Sequence, residues 1–188
     1  FLEVLGPTIG RAGGPERVWV GYKIGCGNVC NTIASFMEGT VDRMSEFRAG
    51  AAKAVITPPV GYPMGAWVLR QGLSTGIHDH LYAKALVLDD GVGKIAVVAL
   101  DVCGITRETL DAIRAKIKRL TGIPADHLLI NSTHNHTTPD IFRSVPPLLE
   151  LYTEYMADQV AGAIYEAFHA LEPAAAGYAW GDLPGMTV

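Results

Sequence analysis

A chain of 188 residues that is 49% hydrophobic and 18% charged has the composition of a globular protein and the length for one domain with a real core. Its formal net charge of −4, without a cluster of Lys or Arg, argues against a nucleic-acid or anionic-membrane partner. A small-molecule or lipid-like substrate fits this composition better.

Residues 1–43 differ from the rest in composition and pattern, because they are rich in Gly and lack sustained helical or strand periodicity. Their Cys26 and Cys30 have no second Cys or His pair nearby with which to hold a metal, and the 3 cysteines of the chain are too few for a disulfide scaffold. Met44 opens a stretch that resembles a natural start. We therefore expect residues 1–43 to lie outside the core, as a native extension or as sequence foreign to the domain, and residues 44–188 to form the domain.

Regular structure is predicted from Ala51 onward. AAKAVIT is a predicted strand that two prolines stop, and a Gly/Pro-rich loop comes after it. Leu81–Leu88 and Lys94–Leu100 are β-rich runs separated by DDGVG, which predicts a β-hairpin. Apolar residues at helical spacing predict a helix that stops at Gly122, and the strand His127–Thr133 follows. The last three elements form a β-α-β unit whose strands should be parallel, with a right-handed crossover.

A second helix is predicted after Pro147, and the chain closes on a segment that begins like another strand. The helix carries one apolar stripe, made of Leu148, Tyr152, Tyr155, Met156, Val160, Ile164, Phe168 and Leu171. The predicted fold class is α/β: a mixed β-sheet with flanking helices, containing a β-hairpin followed by a β-α-β unit, in a domain that we expect to be incomplete. No apolar run reaches the roughly 20 residues of a spanning helix and no signal peptide is visible, which predicts a soluble chain without a transmembrane segment.

The sequence NSTHNHTTPD places His134 and His136 two residues apart, just after the strand His127–Thr133. Alternate side chains point the same way, so both imidazoles can face one site at the sheet edge where α/β proteins bind ligands. Histidine is the commonest metal ligand, which makes His134 a candidate. Two histidines near a turn can also be solvent-exposed or satisfied by the backbone. A catalytic zinc site needs about three protein ligands, and this motif supplies at most two.

Asp101 ends the preceding parallel strand and should reach the same sheet edge as His134. A ligating imidazole commonly donates its other N–H to such a carboxylate, so Asp101 is a candidate catalytic group; alternatively, it caps the next helix or turn. His78 and His80 enter the hairpin and could approach the site across the sheet, and His78 is a further catalytic candidate. The sequence has no nucleophile elbow, Walker loop or dinucleotide fingerprint, which favours metal-assisted hydrolysis.

Four motifs in order, AGAAKAVITPPVGYPMGAW, GIHDHLYAKALVLDDG, IAVVALDVCG and GIPADHLLINSTHNHTTPD, resemble the start of the neutral/alkaline non-lysosomal ceramidase domain. The resemblance covers about Arg48 to Val188, and its most specific part is the T-H-x-H run. It implies that residues 44–188 are the N-terminal portion of a catalytic domain with one Zn²⁺. In that family the zinc activates water to attack the amide of ceramide, releasing a fatty acid and a sphingoid base. By the same resemblance, His134 is a zinc ligand and His136 a neighbouring active-site residue.

Two departures from the family bear on function. Family members are several times longer, and their remaining zinc ligands (His, Glu and Tyr) and catalytic Ser lie downstream of the position of Val188. The resemblance therefore implies an incomplete, inactive site in this fragment. The motif also reads T-H-N-H-T-T-P instead of T-H-T-H-S-G-P, which broadens the expected substrate from ceramide to related N-acyl amides. The alternatives are a catalytically silent scaffold or binding fragment, and another H-x-H metallohydrolase.

Overall fold

The computed structural model describes residues 2–4, 18–19, 22–24, 47–66, 72–139 and 148–176. Its strands are β1 (Leu2–Val4), β2 (Val18–Trp19), β3 (Tyr22–Ile24), β4 (Arg48–Val55), β5 (Tyr82–Asp89), β6 (Lys94–Leu100), β7 (Leu128–Ser132) and β8 (Glu172–Ala175). Its helices are α1 (Arg107–Thr121) and α2 (Leu148–His169), and a short 3-10 turn (Ala125–His127) precedes β7.

The main sheet has the strand order β2-β8-β4-β5-β6-β7. β4, β5 and β6 are antiparallel neighbours, whereas β6 and β7 are parallel and are connected through α1. The predicted β-hairpin, the β-α-β unit and the mixed sheet with flanking helices are therefore confirmed. At the other end of the sheet, β8 pairs antiparallel with β4 and β2 pairs parallel with β8. β1 and β3 form a separate antiparallel pair.

β4 starts earlier than the sequence pattern predicts, at Arg48 instead of Ala51. The reason is its partner, because the whole of β4 pairs with β5, from Arg48 opposite Asp89 to Val55 opposite Tyr82. Residues at the strand start are thus held by ladder hydrogen bonds, which a hydrophobic pattern does not reveal.

The hairpin between β5 and β6 is closed by two aspartates. The Asp89 carboxylate accepts a hydrogen bond from the Gly91 N–H at 3.0 Å and lies 3.0 Å from the Lys94 ammonium. These contacts, the Gly91 hydrogen bond first, lower the pKa of Asp89 below its usual value. Asp90 accepts from the Gly93 N–H at 2.8 Å. The turn therefore fixes the register between β5 and β6, which run between this turn and the other end of the sheet.

α1 has a defined start and stop. The Thr106 hydroxyl accepts from the Thr109 N–H as the N-cap, and Gly122 ends the helix in the left-handed region with φ 76°. α2 packs across β4 and β5 and against α1. The fully buried side chains between these elements include Ile56, Val87, Val98, Leu100, Ile113, Ile117, Met156, Val160 and Ile164. Within the described residues, neither helix has the length and apolarity to cross a membrane.

The apolar stripe of α2 is narrower than the sequence predicts. Tyr152 is buried and its hydroxyl donates to the Ile56 carbonyl at 3.0 Å. Burial raises the pKa of that hydroxyl well above its usual range. Tyr155 instead lies at the flank of the stripe, with 39% of it exposed, and its hydroxyl donates to the Val55 carbonyl at 3.0 Å. Both hydroxyl groups therefore connect α2 by hydrogen bonds to the backbone at the end of β4.

Gly50 marks the closest approach between β4 and the end of α2. A Cβ at this position would lie 2.0 Å from the Ala167 carbonyl oxygen and 2.9 Å from the Leu171 nitrogen, both of them backbone atoms. Backbone cannot move aside as a flexible side chain can, so the close packing of strand on helix requires glycine here.

We expect Gly50→Ala to lower the free energy of unfolding by about 1–3 kcal/mol, the typical cost of overpacking. The matched control is Gly162→Ala in α2, where a Cβ would meet open space. That change should raise the stability by about 0.5–1 kcal/mol, because alanine is the better helix former. Equilibrium urea unfolding measures both, and two changes of the same sign would contradict the packing described for Gly50.

The expectation that residues 1–43 lie outside the core remains a prediction. Among the residues that the structure describes, β2 pairs with β8 through Val18 and Trp19. We expect deletion of residues 1–43 to change the free energy of unfolding by less than about 1 kcal/mol, since so short an edge pairing contributes little. Thermal unfolding of the truncated and complete chains, compared side by side, tests this. A loss of several kcal/mol would place these residues in the core.

Candidate active site

Four chain segments meet at one edge of the sheet. The register pairs Val55 with Tyr82, Ala83 with Leu100, and Leu100 with Ser132. This edge therefore holds the ends of β4, β6 and β7 and the start of β5. Residues that follow or precede these strands share one neighbourhood, as the parallel crossover predicts.

Thr57 joins the end of β4 to the segment that enters β5. Its hydroxyl accepts a hydrogen bond from the Leu81 N–H at 2.8 Å and lies 3.1 Å from His80 Nδ1. The Ile56 N–H donates to the Leu81 carbonyl at 2.8 Å. The first histidine-bearing segment, GIHDH, is therefore attached to the sheet edge at its second histidine.

Asp101 extends the pairing of β6 with β5. Its N–H donates to the Tyr82 carbonyl at 3.0 Å, and its Oδ2 accepts from the Tyr82 N–H at 3.1 Å. Thr106, not Asp101, caps α1. The carboxylate therefore completes the sheet edge, and its proposed catalytic role stays a prediction.

His134 has a strained backbone and a fixed ring. Among the described residues it is the one non-glycine residue with a positive φ, 60°. Such left-handed residues are uncommon and cluster at functional sites. The ring Nδ1 lies 2.8 Å from the Cys103 carbonyl oxygen, to which it donates. This bond fixes the tautomer and leaves the lone pair on Nε2, the arrangement found in metal-ligating histidines.

The loop after His134 is held by its own side chains. Asn135 Oδ1 accepts from the Thr137 N–H at 2.8 Å, and the buried Thr138 hydroxyl donates to the Asn135 carbonyl at 3.1 Å. The ring of His136 packs edge-on against His134, with the ring centroids 4.7 Å apart. The two histidines of the H-x-H motif therefore lie side by side, as the sequence predicts.

Cys103 lies close to the two histidines of this motif. One ligand atom from each of Cys103, His134 and His136 lies within 4.8 Å of the other two. Two imidazoles and a thiol are the nitrogen and sulfur donors that zinc prefers, so the residues present fit this metal. Sequence reasoning missed Cys103. Its position depends on the bend that follows β6, which no local sequence period encodes.

A groove of about 480 Å³ opens beside this cluster. It is lined by Thr57, Pro58, Met64, Ser74, Thr75, Gly76, Ile77, His78, Asp79, His80, Leu81, Asp101, Asn135 and Thr137. His78 and Asp101, both predicted as catalytic residues, thus line one groove with the loop that carries His134 and His136. The His78 side chain is 98% exposed and its Nδ1 lies 2.6 Å from the carboxylate of Asp79.

Comparison with known proteins shows sequence similarity to neutral ceramidases. Neutral ceramidases of Drosophila pseudoobscura pseudoobscura and Drosophila melanogaster are each 29% identical to this chain, over 102 and 114 residues. The chain is related to the neutral ceramidases. The matches cover 51% and 57% of this chain but 14% and 16% of the two neutral ceramidases. No protein-family model matches.

Solved ceramidase structures share the fold. The crystal structure of neutral ceramidase from Pseudomonas aeruginosa superposes with a TM-score of 0.57 at 22% identity, over 68% of this chain and 22% of that one. A ceramidase complexed with C2 gives a TM-score of 0.56 at 21% identity, with the same coverage. The neutral ceramidase relationship confirms the resemblance that the sequence motifs predicted, while the roles of His134, His136, Asp101 and His78 stay predictions.

The strain at His134 leads to a stability prediction. His134→Gly and His134→Ala both remove the ring, but alanine keeps the Cβ that disfavours a positive φ. We expect the glycine variant to be more stable than the alanine variant by about 1 kcal/mol in urea unfolding with a chelator present. At the exposed neighbour Thr133, the same pair of substitutions should rank in the opposite order. An alanine variant at position 134 that equals the glycine variant would show that the backbone there is not strained.

Proposed function

We propose that this chain contributes to a zinc-dependent hydrolase of ceramide-like amides, in which His134 binds the metal. The observation that supports the proposal most is the His134 ring, which donates from Nδ1 to the Cys103 carbonyl and so presents Nε2 as a ligand. The relationship to proteins named neutral ceramidase supplies the reaction class. When bound, the zinc would polarise the amide carbonyl and lower the pKa of a water molecule toward neutrality.

The chain's own residues would position the reacting groups. The Cys103 carbonyl holds the His134 ring, and the Asn135 and Thr138 hydrogen bonds hold the loop. His136, whose ring packs against His134, would hydrogen-bond the substrate carbonyl or hold a proton during the transfer to the leaving amine. Asp101 uses Oδ2 to accept from the Tyr82 N–H, which leaves Oδ1 for a substrate hydroxyl or an imidazole.

The groove fits the substrate class of an amide with a polar head and an apolar chain. Hydroxyl, imidazole and carboxylate groups from Thr57, Ser74, His80 and Asp101 line it together with the apolar side chain of Ile77. A volume of about 480 Å³ lies within the range of small-molecule sites. His78 extends into solvent, where it could meet the head group of a bound substrate rather than the scissile bond.

The chain spans 14% and 16% of the length of the two curated relatives. We infer that the proposed activity needs a larger catalytic unit. We expect the 188-residue chain alone to cleave N-acylsphingosine at least about 100-fold more slowly than a complete neutral ceramidase. An exposed groove neither orients the substrate nor excludes water, and both effects contribute strongly to rate. Turnover of a fluorescent ceramide by the chain, with and without zinc, measures this.

A chimera tests the role of His134 directly. Residues 48–176 would replace the matching segment of the Drosophila melanogaster neutral ceramidase, and hydrolysis of ceramide would be measured before and after chelation. We expect zinc-dependent turnover, and a loss of at least about 100-fold in kcat/KM on His134→Ala, since a missing ligand disables the metal.

The matched control is His127→Ala in the same chimera. His127 also places its Nδ1 on a main-chain carbonyl, that of Lys94 at 2.9 Å, but at the opposite edge of the sheet. Its loss should change kcat/KM by less than about threefold, because it supports structure rather than the site. Equal activity of the His134→Ala chimera and its parent would contradict the proposal that His134 is a metal ligand. A chimera that stays active after chelation would contradict the proposed requirement for a metal.

A further inference from the structure

We propose that His80 and Asp101 are the specificity-determining pair of the groove, with His80 donating a hydrogen bond to one hydroxyl of the amide substrate and Asp101 accepting one from it. This inference rests on the proposed function, because it identifies the substrate group that the same groove recognises. Neither the H-x-H motif nor the family resemblance gives His80 a role. The pair would make the groove prefer amides of amino alcohols to amides of simple amines.

The Thr57 hydroxyl determines which nitrogen of the His80 ring carries the hydrogen. Its oxygen accepts from the Leu81 N–H at 2.8 Å and lies 3.1 Å from His80 Nδ1. A hydroxyl has one proton to donate, and among the described residues His80 Nδ1 is the acceptor recorded for it. With Nδ1 as the acceptor, the neutral ring carries its hydrogen on Nε2. His80 therefore offers a hydrogen-bond donor at Nε2.

His134, at the same edge of the sheet, has the opposite tautomer. Its Nδ1 donates to the Cys103 carbonyl, which leaves the lone pair on Nε2 for the proposed metal. A metal ligand needs such a lone pair, and His80 Nε2 lacks one in the tautomer that Thr57 favours. The two imidazoles are therefore suited to different tasks, His134 to metal binding and His80 to donation.

Asp101 supplies the complementary acceptor. Its Oδ2 accepts from the Tyr82 N–H at 3.1 Å, whereas Oδ1 has no hydrogen-bond partner among the described residues. The Tyr82 ring meets the His80 ring edge-on, with the ring centroids 6.3 Å apart. His80 and Asp101 both line the groove of about 480 Å³. Tyr82 thus contacts both groups, through its ring and its backbone, and keeps the donor and the acceptor near each other.

A donor next to a carboxylate acceptor matches the chemistry of a hydroxyl. A hydroxyl can accept from His80 Nε2–H and donate to Asp101 Oδ1 at the same time. A carboxylate or phosphate would be repelled by Asp101, and a carbonyl oxygen would leave the Asp101 acceptor unused. An ammonium would leave the His80 donor unused. Among common substrate groups, a hydroxyl therefore satisfies both residues.

Two soluble probes test this pair on the 188-residue chain without hydrolysis. N-hexanoyl-ethanolamine carries a terminal hydroxyl, and N-hexanoyl-propylamine has a methyl group in its place. We expect the hydroxyl probe to bind at least about fivefold more tightly, because the methyl probe leaves the polar groups of the site unpaired. Chemical-shift titration of the Leu81 and Tyr82 amides by NMR, with a chelator present, measures both dissociation constants.

Substitutions separate hydroxyl recognition from support of the groove. His80→Ala and Asp101→Asn should reduce the preference to below about twofold, and should change the affinity for the methyl probe by less than about twofold. His80→Gln keeps an N–H donor and should retain most of the preference. The matched control is His127→Ala, at the opposite edge of the sheet, which should retain all of it.

Equal affinity of the unchanged chain for both probes would overturn the inference, as would a preference that survives His80→Ala. No binding of either probe up to its solubility limit would also overturn it, and so would an equal loss of affinity for both probes in His80→Ala. Nitrogen–proton correlation spectra that place the His80 hydrogen on Nδ1 would contradict the proposed donor. All these measurements are made without metal, so an inactive chimera alongside an intact preference would contradict the proposed hydrolase alone.

Discussion

The site depends on the position of β6 between two neighbouring strands, β5, which is antiparallel to it, and β7, which is parallel to it. At this point the Leu100 carbonyl accepts from the Thr133 N–H at 2.9 Å, and the Asp101 N–H donates to the Tyr82 carbonyl at 3.0 Å. The antiparallel partner brings the start of β5 to this edge, and the parallel partner brings the end of β7. A change of register by one residue on either side would turn these side chains to the other face. The ladder therefore sets which groups can meet.

The strain at His134 is consistent with a site held ready for a ligand. A left-handed backbone costs a histidine roughly 1–2 kcal/mol, which the ring bond to the Cys103 carbonyl and the loop bonds of Asn135 and Thr138 can offset. Without these bonds the chain after β7 would relax to an extended conformation and carry the imidazole away from Cys103. The same interactions that stabilise the loop thus hold the rings of His134 and His136 side by side.

The sequence was a good guide to elements with strong local patterns. Periodicity and turn residues predicted the hairpin, α1, the parallel crossover and the position of His134 after β7, because each depends on residues close in the chain. The start of β4 at Arg48 and the place of Cys103 were not predicted. They depend on long-range pairing with β5 and on the bend after β6, which no local period encodes. Tyr155 was assigned to the core stripe because a helical repeat does not show where packing stops.

Binding of the proposed metal by His134 would be coupled to the order of its loop. An ion that binds the folded loop but not the unfolded chain stabilises the fold by RT ln(1 + [L]/Kd), about 2.7 kcal/mol at 100 times Kd. That exceeds the cost of one left-handed residue, so the ion would more than offset the strain at His134. The residues before and after the loop, Ser132 in β7 and the buried Thr138, are already held by pairing and burial. An ion bound by His134 would therefore act on the few residues between them.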